Sequence, residues 1–109
     1  MGWLVRSGEV LATAEIAEAR RDRRKGLLGR AEMEGALILR PCRHVHTMGM
    51  RFTIDAAFCD AEGLVLATPC LVPWRFSPFV AHTRMVIEAQ AGAFERWGLR
   101  PGDVVEIRR

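Results

Sequence analysis

Phe52, Ile54, Ala56 and Phe58 alternate with Thr53, Asp55, Ala57 and Cys59, and this two-residue period restricts the chain more than anything else in it. Successive side chains of a strand leave from opposite faces, so the stretch reads as a strand with one apolar face. That face has to be buried against other elements, and the flanking sequence supplies them. Trp3 to Arg6 and Val10 to Thr13 are apolar runs on either side of Ser7-Gly8, the pattern of a hairpin. Ala36 to Leu39, ended by Pro41, reads as a buried strand. Asp60-Ala61-Glu62-Gly63 turns the central strand back into Leu64 to Thr68. Met85 to Ala89 and Val104 to Ile107 add two more strands, the last preceded by Pro101-Gly102, the central pair of a type II turn.

Two stretches read as helices. Ala19 to Leu28 is rich in Arg, with Leu27 and Leu28 to anchor its last turn and Gly29 placed for a C-cap. It is expected to cover one open end of the sheet. Ala91 to Gly98 is a two-turn pattern with Phe94 and Trp97 on one face. With no βαβ rhythm, the sum is a mostly β (α+β) fold: a small β-sandwich or barrel of about seven or eight short strands with two short helices. Residues 1–109 read as a single domain, with Ala36–Arg40, His44–Met48, Ile54–Asp60 and Leu64–Thr68 as central strands.

Half of the residues are hydrophobic and 27% are charged, which suits a folded domain rather than a disordered chain. The net charge of +3 is too mild to indicate nucleic acid. The one basic cluster, Arg20 to Lys25, has no aromatic residue between its cations to stack on bases, and reads as a solvated helix face. Three Cys without a CxxC point to free thiols in a reducing compartment, and a cytoplasmic location is expected. No signal-peptide pattern and no apolar run of about 20 residues is present, so no membrane partner is expected.

The chemistry-bearing residues crowd into Pro41 to Gly63. Cys42, His44, His46, Met48 and Met50 share one parity, so an extended strand would turn all five to one face. Thiolate, imidazole and thioether suit soft metals such as Cu(I) or Zn, making Cys42, His44 and His46 a candidate metal set. Pro41 and Gly49 interrupt such a strand, and no second cluster completes a zinc pattern.

Asp55 lies between Ile54 and Ala56, where a carboxylate is costly without a partner. It serves either as a ligand acceptor or general base beside a His, or as a structural carboxylate holding backbone N–H groups or an Arg. The irregular Pro69 to Thr83 stretch reads as a hydrophobic crossover over the end of the core, with a functional flap as the alternative.

These residues define three readings. The leading one is a non-catalytic module that binds a small molecule or a protein in a groove formed by His46, Thr47, Met48, Asp55 and Trp74. The second is a soft-metal protein; the third is a hydrolase-like enzyme using Asp55 with a His. No catalytic residue and no cofactor is assigned, because Cys42 and His44 are too close in sequence for the usual nucleophile–base pair and no phosphate loop or nucleophile elbow is present. Unpaired sheet edges would suit a homodimer.

The words Lys25-Gly26-Leu27-Leu28-Gly29-Arg30, Gly35 to Leu39, Val45 to Asp55, Phe58 to Gly63 and Glu88 to Gly92 occur in that order, followed by Gly102-Asp103. This combination resembles the prokaryotic family known as domain of unknown function 192, over about Val10 to Ile107. The resemblance implies a small, mostly β sandwich or barrel with short helices, and brings no activity, cofactor or substrate. Many members of that family read Trp-Met-Lys-Asn-Thr where this chain has His46-Thr47-Met48-Gly49-Met50, so the resemblance implies a soft-ligand stripe peculiar to a branch and weighs against the metal reading.

Overall fold

A computed structural model describes residues 1–109 of the chain. The fold is mostly β: eight strands in one curled, half-barrel sheet, with two short helices. β1 (Gly2–Arg6) and β2 (Glu9–Ala17) form the hairpin, with positive φ at both Ser7 and Gly8, as a tight two-residue turn requires. α1 (Arg20–Lys25) leads to β3 (Ala36–Leu39), which pairs with β2 in parallel. β4 (Ile54–Cys59), β5 (Val65–Ala67) and β6 (Cys70–Leu71) follow, then β7 (Met85–Gln90), α2 (Ala93–Trp97) and β8 (Val105–Arg108). The spatial order is β5-β4-β7-β3-β2-β1-β8, with β6 also pairing β4. A bridge between Leu64 and Val104 brings the two ends of that order together.

Curling gives the sheet two cores. Inside lie Leu4, Ala14, Ile38, Ala57, Ile87 and Val105, contributed by six different strands, and Phe94 and Leu99 from in and around α2 seal them. Outside lie Leu37, Leu39, Ile54, Phe58 and Val86, with Leu27 and Met50 packed over them. β4 therefore has two apolar faces, not the single one that its alternation suggests: small Ala57 and Cys59 suffice for the crowded inner face. Strand β3 (Ala-Leu-Ile-Leu) reads as a continuous apolar run for the same reason.

The helices differ from expectation in position. α1 ends at Gly26, not Gly29, because Gly26 adopts φ 49° and ψ −128°, a conformation that a side chain resists. It is α2 that faces the inner core, whereas Leu27, just after α1, is buried in the outer one. Arg6 fixes α2 from below, donating to the carbonyls of Trp97 and Gly98 and pairing with Asp103 at 3.0 Å. A cation suits that helix end.

The expected strand over His44–Met48 does not form; the segment makes one isolated bridge, His46 to Phe76. The 72–79 part of the expected crossover leaves the core, with Trp74, Phe76 and Phe79 all exposed, while Val80 packs back against the outer core. No helix is long and apolar enough to cross a membrane.

Candidate functional site

The 41–51 segment leaves β3 as irregular chain, and Thr47 holds it in place. Thr47 is fully buried; its hydroxyl donates to the Val72 carbonyl at 2.6 Å and accepts the Arg75 N–H at 2.8 Å. Its own N–H and C=O bond Arg75 O and Trp74 N. Val45 adds two contacts to Ser77. The segment is thus stitched to the 72–77 loop on one side and stands clear of α1 on the other.

Between this segment and α1 opens a cleft of roughly 260 Å³, small for a metabolite pocket. Cys42, His44, His46, Met48 and Met50 all line it. The stripe does gather, by wrapping of a loop instead of by strand parity. α1 contributes Arg20, Arg23, Arg24 and Lys25, and none of these four is ion-paired.

β7 contributes Glu88, a carboxyl 3% exposed. Its Oε1 is the one buried side-chain oxygen or nitrogen without a hydrogen-bond partner. Burial lifts this carboxyl from the ordinary range to about 7, because a charge there is poorly solvated. The neutral acid is thereby favoured well above the ordinary carboxylate range.

The candidate metal set lies along this cleft but is not arranged as ligands. Cys42 Sγ is turned to the His44 carbonyl at 3.3 Å, and His46 Nδ1 accepts the Met48 N–H at 3.2 Å. No three side chains among His, Cys, Asp and Glu converge as a metal site would require. Burial pushes the Cys42 thiol up, against a smaller opposing pull from its contact with the His44 backbone. It is therefore held as a thiol and not as the thiolate that nucleophilic chemistry needs.

The expected groove residues are divided. His46 and Met48 line the cleft. Thr47 is the internal staple described above. Trp74 is 62% exposed, with φ at 67°. Asp55 has the parity of Ala57 and Cys59, the inner face of β4, opposite the cleft. Its Oδ2 accepts the N–H groups of Gly92 and Phe94 at 3.0 and 3.1 Å, capping α2. Asp55 thus has the geometry of the structural carboxylate, and no His is among its hydrogen-bond partners.

Glu88 lies between Ile87 and Ala89 and so carries the same embedded-carboxylate signal that singles out Asp55.

The fold is that of a mostly β domain, a curled half-barrel sheet with two short helices. The chain belongs to the DUF192 family, described as "Uncharacterized ACR", whose model matches residues 3–107. No curated protein matches it in sequence. Two crystal structures share its fold. A protein of unknown function from Novosphingobium aromaticivorans has a TM-score of 0.80 at 24% identity, over 96% of this chain and 82% of that one. A "putative transcription regulator" from Sinorhizobium meliloti has a TM-score of 0.77 at 20% identity, over 97% of this chain and 91% of that one. At these identities the likeness is one of fold.

Proposed function

We propose that this protein is a non-catalytic binding domain whose site is the cleft between α1 and the 42–50 segment, and whose ligand is a small molecule. One observation carries the reading. Glu88 Oε1 is buried without a partner at the wall of a cleft, and such an atom is costly unless something bonds it. A ligand reaching it would remove that cost. A non-catalytic role is supported by the groups that are engaged elsewhere. Asp55 is taken up by backbone N–H groups, and the Cys42 thiol is held protonated by burial.

The test is a thermal-shift panel of a few hundred metabolites on reduced protein. A metabolite that raises Tm in the wild type should lose its effect in Glu88→Leu and in Met48→Trp, which fills the cleft, because native-state binding must stabilise. Hits that survive both substitutions, or a flat panel, would overturn the cleft as the site.

A further inference from the structure

We infer that the ligand is a small organic anion: an apolar body ended by a carboxylate or phosphate, with the cations of α1 holding the charge and the Glu88 carboxyl giving a hydrogen bond at the buried wall. This rests on the cleft being the binding site, as proposed above, and adds the class of ligand.

Charge decides the sign. Arg20, Arg23, Arg24 and Lys25 face one carboxyl across the cleft, and none of them has an acidic partner. Arg23 alone is otherwise occupied, donating to the Glu18 carbonyl. Glu106 and Arg108, by contrast, are paired with each other on the surface. Four unpaired cations lining one cleft, with Asp22 the one acid of their helix and not in the lining, attract an anion and repel an amine. Guanidinium groups also match carboxylate and phosphate oxygens in pairs.

Glu88 has no charged neighbour on its own sheet: its partners across β3 and β4 are Leu37 and Ala56. The groups near it come from the cleft, namely the α1 cations and Cys42, His44 and His46 of the facing segment. Burial raises its carboxyl above the ordinary carboxylate range, which favours the neutral acid. As the neutral acid it has a hydrogen to donate, and an anionic oxygen is the strongest acceptor it can meet.

The body of the ligand follows from the remaining lining. Leu27, Leu28, Leu39, Val45, Met48 and Met50 are apolar or thioether side chains, and the two Met adapt to irregular shapes. A short alkyl chain fits that surface, whereas inorganic phosphate would leave it unfilled.

The experiment is amide-resolved NMR titration of the reduced full chain with four probes of equal carbon number: hexanoate, hexyl phosphate, hexanamide and hexylamine. Expected is a response at Gly26, Cys42, His44 and Met48 to hexanoate or hexyl phosphate, whichever of the two fits telling carboxylate from phosphate. Hexylamine should give none, and hexanamide a much weaker one. Affinity should fall by roughly tenfold in Arg24→Ala/Lys25→Ala. It should persist in Glu88→Gln, which keeps a donor, and fall in Glu88→Leu, whose spectrum also reports whether the fold is intact. Amine or neutral binding at the same amides, without anion binding, overturns the ligand class and leaves the cleft standing. No response at these amides from any probe overturns both.

Discussion

Gly26 lies over Glu88 so closely that a side-chain carbon built on the glycine would stand 3.3 Å from Glu88 Oε1. Gly29, three residues on, has nothing within 4 Å of the corresponding position. Both have positive φ, 49° and 85°, so alanine at either is strained, by about 1–3 kcal/mol. Gly26→Ala and Gly29→Ala should therefore both lower the urea midpoint. Only Gly26→Ala should also weaken hexanoate binding, because only its methyl group reaches the cleft. Equal binding by the two variants would show that Gly26 does not shape the site.

The carboxyl beneath Gly26 makes stability depend on pH. Its folded value is about 7 against an ordinary 4.5, so between these values the folded state holds a proton that the unfolded state has lost. Stability then falls as pH rises through that window and levels off above it. The gap is worth about 3 kcal/mol. Glu88→Gln, neutral throughout, should match the wild type below about pH 4.5 and exceed it by up to that amount above pH 7. Denaturant melts from pH 4 to 9 measure the difference. Parallel curves would mean that the unfolded-like ionisation persists in the native protein.

Why was Asp55 legible as a special residue and Glu88 not? Both are carboxylates inside apolar strands, but Asp55 is close in sequence to the histidines, and proximity in the chain is a poor guide across a sheet. Residues one apart on β4 face different cores, so Asp55 was carried to α2 while Ile54 and Ala56 faced the outer side. The strands themselves were readable, since Ser7-Gly8, Pro41 and Gly63 mark their ends chemically. The His44–Met48 segment misled because parity was the one tool for it. Bonds to a loop 25 to 32 residues away, from the Thr47 hydroxyl and from the Thr47 and Val45 backbone, hold that conformation, and no local pattern announces them. β6, two residues long, is defined by its partner β4 alone.

Asp55 gives an independent check on this division of the sheet. Capping by a carboxylate satisfies donors that α2 cannot satisfy itself, and Asp55→Ala should cost about 1–2 kcal/mol. Asp55→Asn retains an acceptor and should lose less. Neither should alter hexanoate binding, because the carboxylate lies on the opposite face from the cleft. Loss of binding in Asp55→Asn at unchanged stability would restore Asp55 to the site.

Thr47 should behave as a staple rather than as a ligand. Thr47→Val keeps the shape but removes the hydroxyl, leaving the Val72 carbonyl and the Arg75 N–H without the partner they now share. Unsatisfied groups in a buried position cost about 1–3 kcal/mol each way, and here the loss falls on the 72–77 loop. The local consequence is readable at Arg75, a trypsin site in that loop: cleavage after it, followed by mass spectrometry, should accelerate in Thr47→Val and return to the wild-type rate in Thr47→Ser. Because the loop also positions Val45 through Ser77, a faster cut in Thr47→Val should be accompanied by altered His44 and His46 amide shifts even without ligand. Cleavage at the wild-type rate in Thr47→Val would mean that the backbone pairs of Thr47 with Arg75 and Trp74 hold the segment without the hydroxyl.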